Sequence, residues 1–126
     1  MSSDESQAFL DQASQGRGYT LEMHRIMAGA DLEWAKKYNA FIEATYTGQR
    51  TLDRKTKELL QIVVEAALRA DVEQIQAHVR VAMREGATPQ EILESLQAVI
   101  APMGALAFRR GLQAWAAETG FVIPEG

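Results

Sequence analysis

The chain has 126 residues, 47% of them apolar and 24% charged, which is ordinary usage for a domain able to close a hydrophobic core without staples. Thirteen Lys and Arg against seventeen Asp and Glu give a net charge of −4, the wrong sign for a groove that tracks phosphates, so nucleic-acid and anionic-membrane binding are disfavoured. The cysteine count is zero, which removes disulfides, thiolate metal sites and thiol nucleophiles together. No stretch is uncharged for long enough to span a bilayer, and the opening Met-Ser-Ser-Asp-Glu-Ser carries neither a basic nor an apolar export signal, so a single soluble domain, 1–126, in the cytoplasm is expected.

Only three prolines and no sustained apolar-polar alternation predict an all-α fold. A short amphipathic piece over about 4–14 is expected to fray, within a loose segment 1–17, and to stop at Gly16-Arg17-Gly18. A second helix covers about 21–28. Asp31 is placed to cap a third, which carries Leu32, Ala35, Tyr38, Phe41, Ile42 and Tyr46 at three- and four-residue steps and ends at Gly48.

Asp53 can cap the next helix, where the ten residues Leu59 to Leu68 hold only two polar side chains, Gln61 and Glu65. A helix so apolar on every side calls for enclosure by other helices or by a partner subunit. Asp71 and Gln74 then read as a variant capping box opening a helix with the apolar face Val72, Ile75, Val79, Ala82 and Met83, stopped by Gly86. Thr88-Pro89-Gln90-Glu91 is a full capping box with proline at the first helical position. Pro102 and Gly104 break that helix. A last one carries Leu106, Phe108, Leu112 and Trp115 up to Gly120, and 120–126 is a loose tail.

Two histidines are available for chemistry. His78 lies at the margin of an apolar face, with Gln74 one turn and Asp71 two turns before it. Its ordinary pKa near ~6.5 suits acid-base work at neutral pH. The plain structural alternative is a half-buried imidazole bonded to a carbonyl or carboxylate. Glu65 sits in a run that should be dry, where a carboxylate needs a partner, and Glu58, Gln61 and Glu65 share one stripe of their helix. If that stripe faces His78, a carboxylate and an imidazole form a proton-transfer pair, with Glu58 and Glu65 both open as the partner. Otherwise the stripe meets solvent or an arginine.

His24, in the charged turn Glu22-Met23-His24-Arg25, reads as a surface residue. The ligand spacings of zinc and di-iron sites, nucleotide-binding glycine motifs and the serine-hydrolase elbow are all missing, so neither a metal nor a cofactor is expected. Arg80, Arg109 and Arg110 are candidate anchors for a substrate carboxylate.

Three blocks in order, Leu52-Asp53-Arg54-Lys55-Thr56-Lys57-Glu58-Leu59, Ala77-His78-Val79-Arg80 and Glu85-Gly86-Ala87-Thr88-Pro89-Gln90-Glu91-Ile92, resemble the core of the carboxymuconolactone decarboxylase family over about 52–116. That family shares its fold with the alkylhydroperoxidase D-like proteins. The resemblance implies an all-α helical bundle assembled as trimers or hexamers, with pockets near subunit contacts. It places His78 on the family histidine and Glu58 on the glutamate of the preceding helix. In the peroxidase branch a Cys-x-x-Cys pair stands where this chain has Asp71 and Gln74, and neither can be oxidised, so thiol peroxidase chemistry is excluded.

The decarboxylase branch needs no thiol and no cofactor. Its substrate resembles a β,γ-unsaturated acid that loses carbon dioxide as a proton reaches the far end of the double bond. The resemblance therefore implies a lyase-like enzyme for a small lactone or unsaturated carboxylic acid. His78 would be the acid, set by Glu58 or Glu65, with Asp71, Gln74 and Arg80 near the substrate. This chain departs from the pattern at Leu106, where many relatives carry proline, and at the neutral Gln74; residues 18–24 suggest a side branch. The alternatives are an oligomeric binding protein that kept the fold without the chemistry, and a helical docking module with an exposed apolar patch.

Overall fold

A computed structural model describes residues 3–126. Among them are eight α-helices and no strand, and 77% of these described residues are helical. They gather into two compact units, residues 1–51 and 52–126.

The first unit holds α1 (Ser3–Arg17), α2 (Glu22–Ala30) and α3 (Leu32–Ile42), the last running into a π-helical turn, Glu43–Thr47. Leu10, Ala28 and Leu32 form its small core with Phe9 against them, and the Ser6 hydroxyl donates to the Ala28 carbonyl at 2.8 Å. Where fraying was expected, α1 is helical through Gly16 to Arg17; the described part of 1–17 packs on α2 rather than standing loose, and Ser2 and its neighbour Met1 lie outside the described residues. The stop is Gly18, whose φ of +91° a side chain would disfavour. Asp31 caps α3 as predicted, accepting from the Trp34 amide at 3.2 Å.

The second unit holds α4 (Arg54–Ala67), α5 (Val72–Arg84), α6 (Pro89–Ala98), the single turn α7 (Ile100–Met103) and α8 (Ala105–Thr119). Asp53 caps α4 through the Thr56 amide at 2.7 Å, and its bonds to Thr56 hold the carboxyl below its usual range. Thr88 and Glu91 form the reciprocal capping box at 3.0 and 2.9 Å. Asp71 does stand at the N-cap of α5, but its carboxylate makes no cap bond. The Gln74 amide turns instead to the Asp71 backbone carbonyl at 3.0 Å, so the expected capping box is not formed. Pro102 does not end α6; it sits inside α7, and the break falls at Val99.

The core of this unit is Ile62 and Ala66 from α4, Ile75, Val79 and Ala82 from α5, Ile92 and Leu96 from α6, and Ala114 from α8. Gly111 lets α8 come close: a Cβ there would stand 2.7 Å from Leu96 Cδ2 and 3.2 Å from Ala66 Cβ. The connection after α4 is too short for anything but a return, so α5 folds back along α4. That hairpin carries the site. The apolar run of α4 is not enclosed on every side, because Leu60, Val64 and Leu68 lie 49%, 54% and 76% exposed at four-residue steps along one line. No described helix is long and apolar enough to cross a membrane.

Candidate active site

Arg54, Glu58 and Glu65 recur on α4 at intervals of four and seven residues, which at 100° per residue leaves them within one narrow stripe. Opposite that stripe α5 presents His78. Glu58 Oε1 lies 2.8 Å from His78 Nδ1, and Glu65 Oε2 lies 2.6 Å from His78 Nε2. Arg54 Nε donates to the other oxygen of Glu58 at 2.7 Å. The imidazole is thus held at both nitrogens by carboxylates, and one of these is held in turn by a guanidinium.

The array is dry. Side-chain exposure is 0% for Glu58, 3% for His78, and 12% each for Arg54 and Glu65. Burial by itself pulls the His78 pKa down, but hydrogen bonds and opposite charge from Glu58 and Glu65 outweigh it and raise the value to about 9. At neutral pH the ring is therefore an imidazolium, and both its nitrogens donate. Removing one partner from such a buried ionic group commonly costs ~3–5 kcal/mol, because a charge is left without compensation. Glu65 Oε1, also buried, has no hydrogen-bond partner among the described residues. The position of Glu65 is fixed by the end of its helix: Arg69 takes the left-handed φ of +57°, and the Ala70 amide closes onto the Glu65 carbonyl at 2.9 Å.

The sequence left open whether Glu58 or Glu65 meets His78, and the structure brings both to it, one on each nitrogen. Gln74 is half-buried one turn before His78, and Asp71 is exposed at the start of α5. Arg80 points elsewhere: it is exposed and forks onto Glu118 of α8, with both bonds at 3.1 Å. Sequence reasoning passed over Arg54. The signal was present in its four-residue spacing to Glu58, a register in which opposite charges on a helix meet. His24 departs from the expected surface role, since it is half-buried and its Nδ1 accepts from the Leu21 amide at 2.9 Å. Desolvation, helped by Arg17 and Arg25, lowers its pKa to about 4. Among the described residues no group of three or more His, Asp or Glu side chains is arranged to hold a metal ion.

The family model described as the carboxymuconolactone decarboxylase family matches residues 33–117, more than half of the chain. The chain belongs to that family. The match to the carboxymuconolactone decarboxylase family begins within α3, well before the 52–116 core read from the three blocks, and takes in the whole Arg54–Glu58–Glu65–His78 array. No curated protein and no solved structure matches the chain.

Proposed function

We propose that the chain is a cofactor-free, decarboxylase-type lyase that acts on a small lactone or unsaturated carboxylic acid by transfer of a proton stored on His78. The observation that carries this reading is the imidazole gripped at both nitrogens by buried carboxylates. The clamp keeps the ring charged and oriented before any ligand arrives, which is what a placed acid requires. In the reaction the bond between the substrate carbon and its carboxylate breaks and its electron pair forms a new double bond. The old double bond takes up the proton at its far carbon, and carbon dioxide departs. Arg54 holds Glu58 in place through its hydrogen bond, and Glu58 keeps the ring from rotating.

The exposed line of Leu60, Val64 and Leu68 supports self-association as part of the same reading. A second reading, a binding protein that keeps the fold without turnover, is favoured by the near-complete burial of Glu58 and His78. An assay of purified protein on carboxymuconolactone and related unsaturated acids separates the two. Turnover is expected for the native chain and a loss of roughly 100-fold or more in His78→Ala, the usual range for general acid catalysis. Absence of turnover on every acid, or equal rates in the variant, would leave the binding reading.

A further inference from the structure

The imidazolium of His78 has no free N–H to offer a ligand, because Nδ1 is spent on Glu58 and Nε2 on Glu65. A proton leaving the ring must therefore pass through one of the two carboxylates. Glu58 is fully buried, and its second oxygen is taken by Arg54, whose guanidinium does not release a proton in proteins. Glu65 is the most exposed of the three titratable members, at 12% against 3% and 0%. Its Oε1 is buried and has no hydrogen-bond partner among the described residues.

We propose that Glu65 is the port of this array: it carries protons in and out of the Glu58–His78 pair, and it is the group that meets the reacting carbon of the substrate. The proposal rests on the reading of His78 as the proton store. Inward, a proton passes from water to the Glu65 carboxyl, then from Oε2 to Nε2. Outward, Nε2–H returns it to Glu65, leaving a neutral imidazole, and the carboxyl gives it to the far carbon of the double bond while the carbon-carboxylate bond breaks and carbon dioxide leaves. Water then recharges the pair, so one proton is consumed for each carbon dioxide released.

The arrangement also limits the ligand. A substrate carboxylate set against Glu65 would be repelled by like charge, so the atom facing the Glu65 carboxyl is the carbon to be protonated, and the acid groups of the substrate lie away from it. The class is an unsaturated acid whose protonated carbon is remote from its carboxylates.

The test uses the full chain labelled with 15N-histidine, in which only two imidazoles give signals, and needs no turnover. Solvent exchange of the His78 Nε2 proton is measured at neutral pH in the native chain and in Glu65→Gln, whose amide has the same shape but cannot relay a proton. Exchange is expected to slow by roughly tenfold or more in the variant, as befits loss of a placed proton carrier. In Glu65→Ala, formate should accelerate exchange in proportion to its concentration while leaving the native rate unchanged, and Glu118→Gln, altered only at the surface pair with Arg80, should behave as native.

Unchanged or faster exchange in a folded Glu65→Gln, or no effect of formate on Glu65→Ala, overturns the port. The carboxymuconolactone assay is scored separately. If the native chain shows no turnover while the exchange results hold, the proposed reaction fails, and with it the contact of Glu65 with a reacting carbon, while its carriage of protons to the Glu58–His78 pair stands; if turnover survives Glu65→Gln at the native rate, the port fails and the reaction stands.

Discussion

The two histidines of this chain are moved in opposite directions by their surroundings. His78 is raised from 6.5 to about 9 and His24 lowered from 6.5 to about 4. A raised folded value means that the His78 contribution to stability is fully present below pH 6.5 and is lost as pH climbs through 9. A depressed one means that the His24 contribution is present above pH 6.5 and is lost as pH falls through 4. Thermal midpoints followed across this span should peak near pH 6.5. His78→Gln should flatten the alkaline side alone, and His24→Gln should soften the acid side, where carboxylates elsewhere also contribute. Equal slopes in a variant and the native chain would remove that histidine from the account.

At this scale the sequence was informative about identity and weaker about contacts. It singled out His78, Glu58 and Glu65, because a carboxylate in an apolar run and a histidine at the edge of an apolar face are each costly without a partner. It could not say which nitrogen each carboxylate takes, since that depends on the rotation of α4 against α5. Arg80 shows the converse. A guanidinium suits a substrate carboxylate equally well on paper, and only its position on α5, facing Glu118, decides otherwise.

Among the elements, local signals with a fixed chemistry were the most legible. Asp31, Asp53 and Thr88 cap the helices they precede, and Gly86 and Gly120 take positive φ at the ends of α5 and α8. Asp71 failed as a cap because the backbone carbonyl of the same residue took the amide its side chain would have used. The end of α4 had no glycine to announce it. Arg69 fills the left-handed position there at φ +57°, where a Cβ is disfavoured by ~1–2 kcal/mol.

Arg69→Gly removes that strain and gives back part of it through the greater freedom of glycine in the unfolded chain, so a net gain of roughly 0.5–1 kcal/mol is expected. A urea-unfolding series would register it as a higher midpoint at unchanged slope. A lower midpoint would mean that the arginine side chain holds the turn in a way its backbone does not reveal.

For the molecule as a whole, composition and breakers sufficed for an all-α fold, and the three sequence blocks for the family. The two compact units were not legible, because α1 to α3 read as further helices of one domain and nothing in their spacing marks Thr51 as a boundary. The apolar run of α4 was read as enclosed by other helices or by a partner subunit, and within one chain a line of it faces outward. Three large side chains at that exposure are a poor solvent face and a good contact between copies. Light scattering of the native chain should give a mass above that of one copy, and Val64→Glu should shift it toward one copy with little change in melting temperature. A native chain that scatters as a single copy would retire self-association through α4.

The clamp around the imidazole draws every one of its members from residues 54–78, one hairpin of two adjacent helices. Loops this short close at small entropic cost, and contacts between near neighbours along the chain form early. The reactive geometry thus asks for little long-range order to come into register, and α6 and α8 pack onto the two helices that already carry it. Substitutions in those later helices are free to reshape what the hairpin faces while the hairpin itself stays as it is.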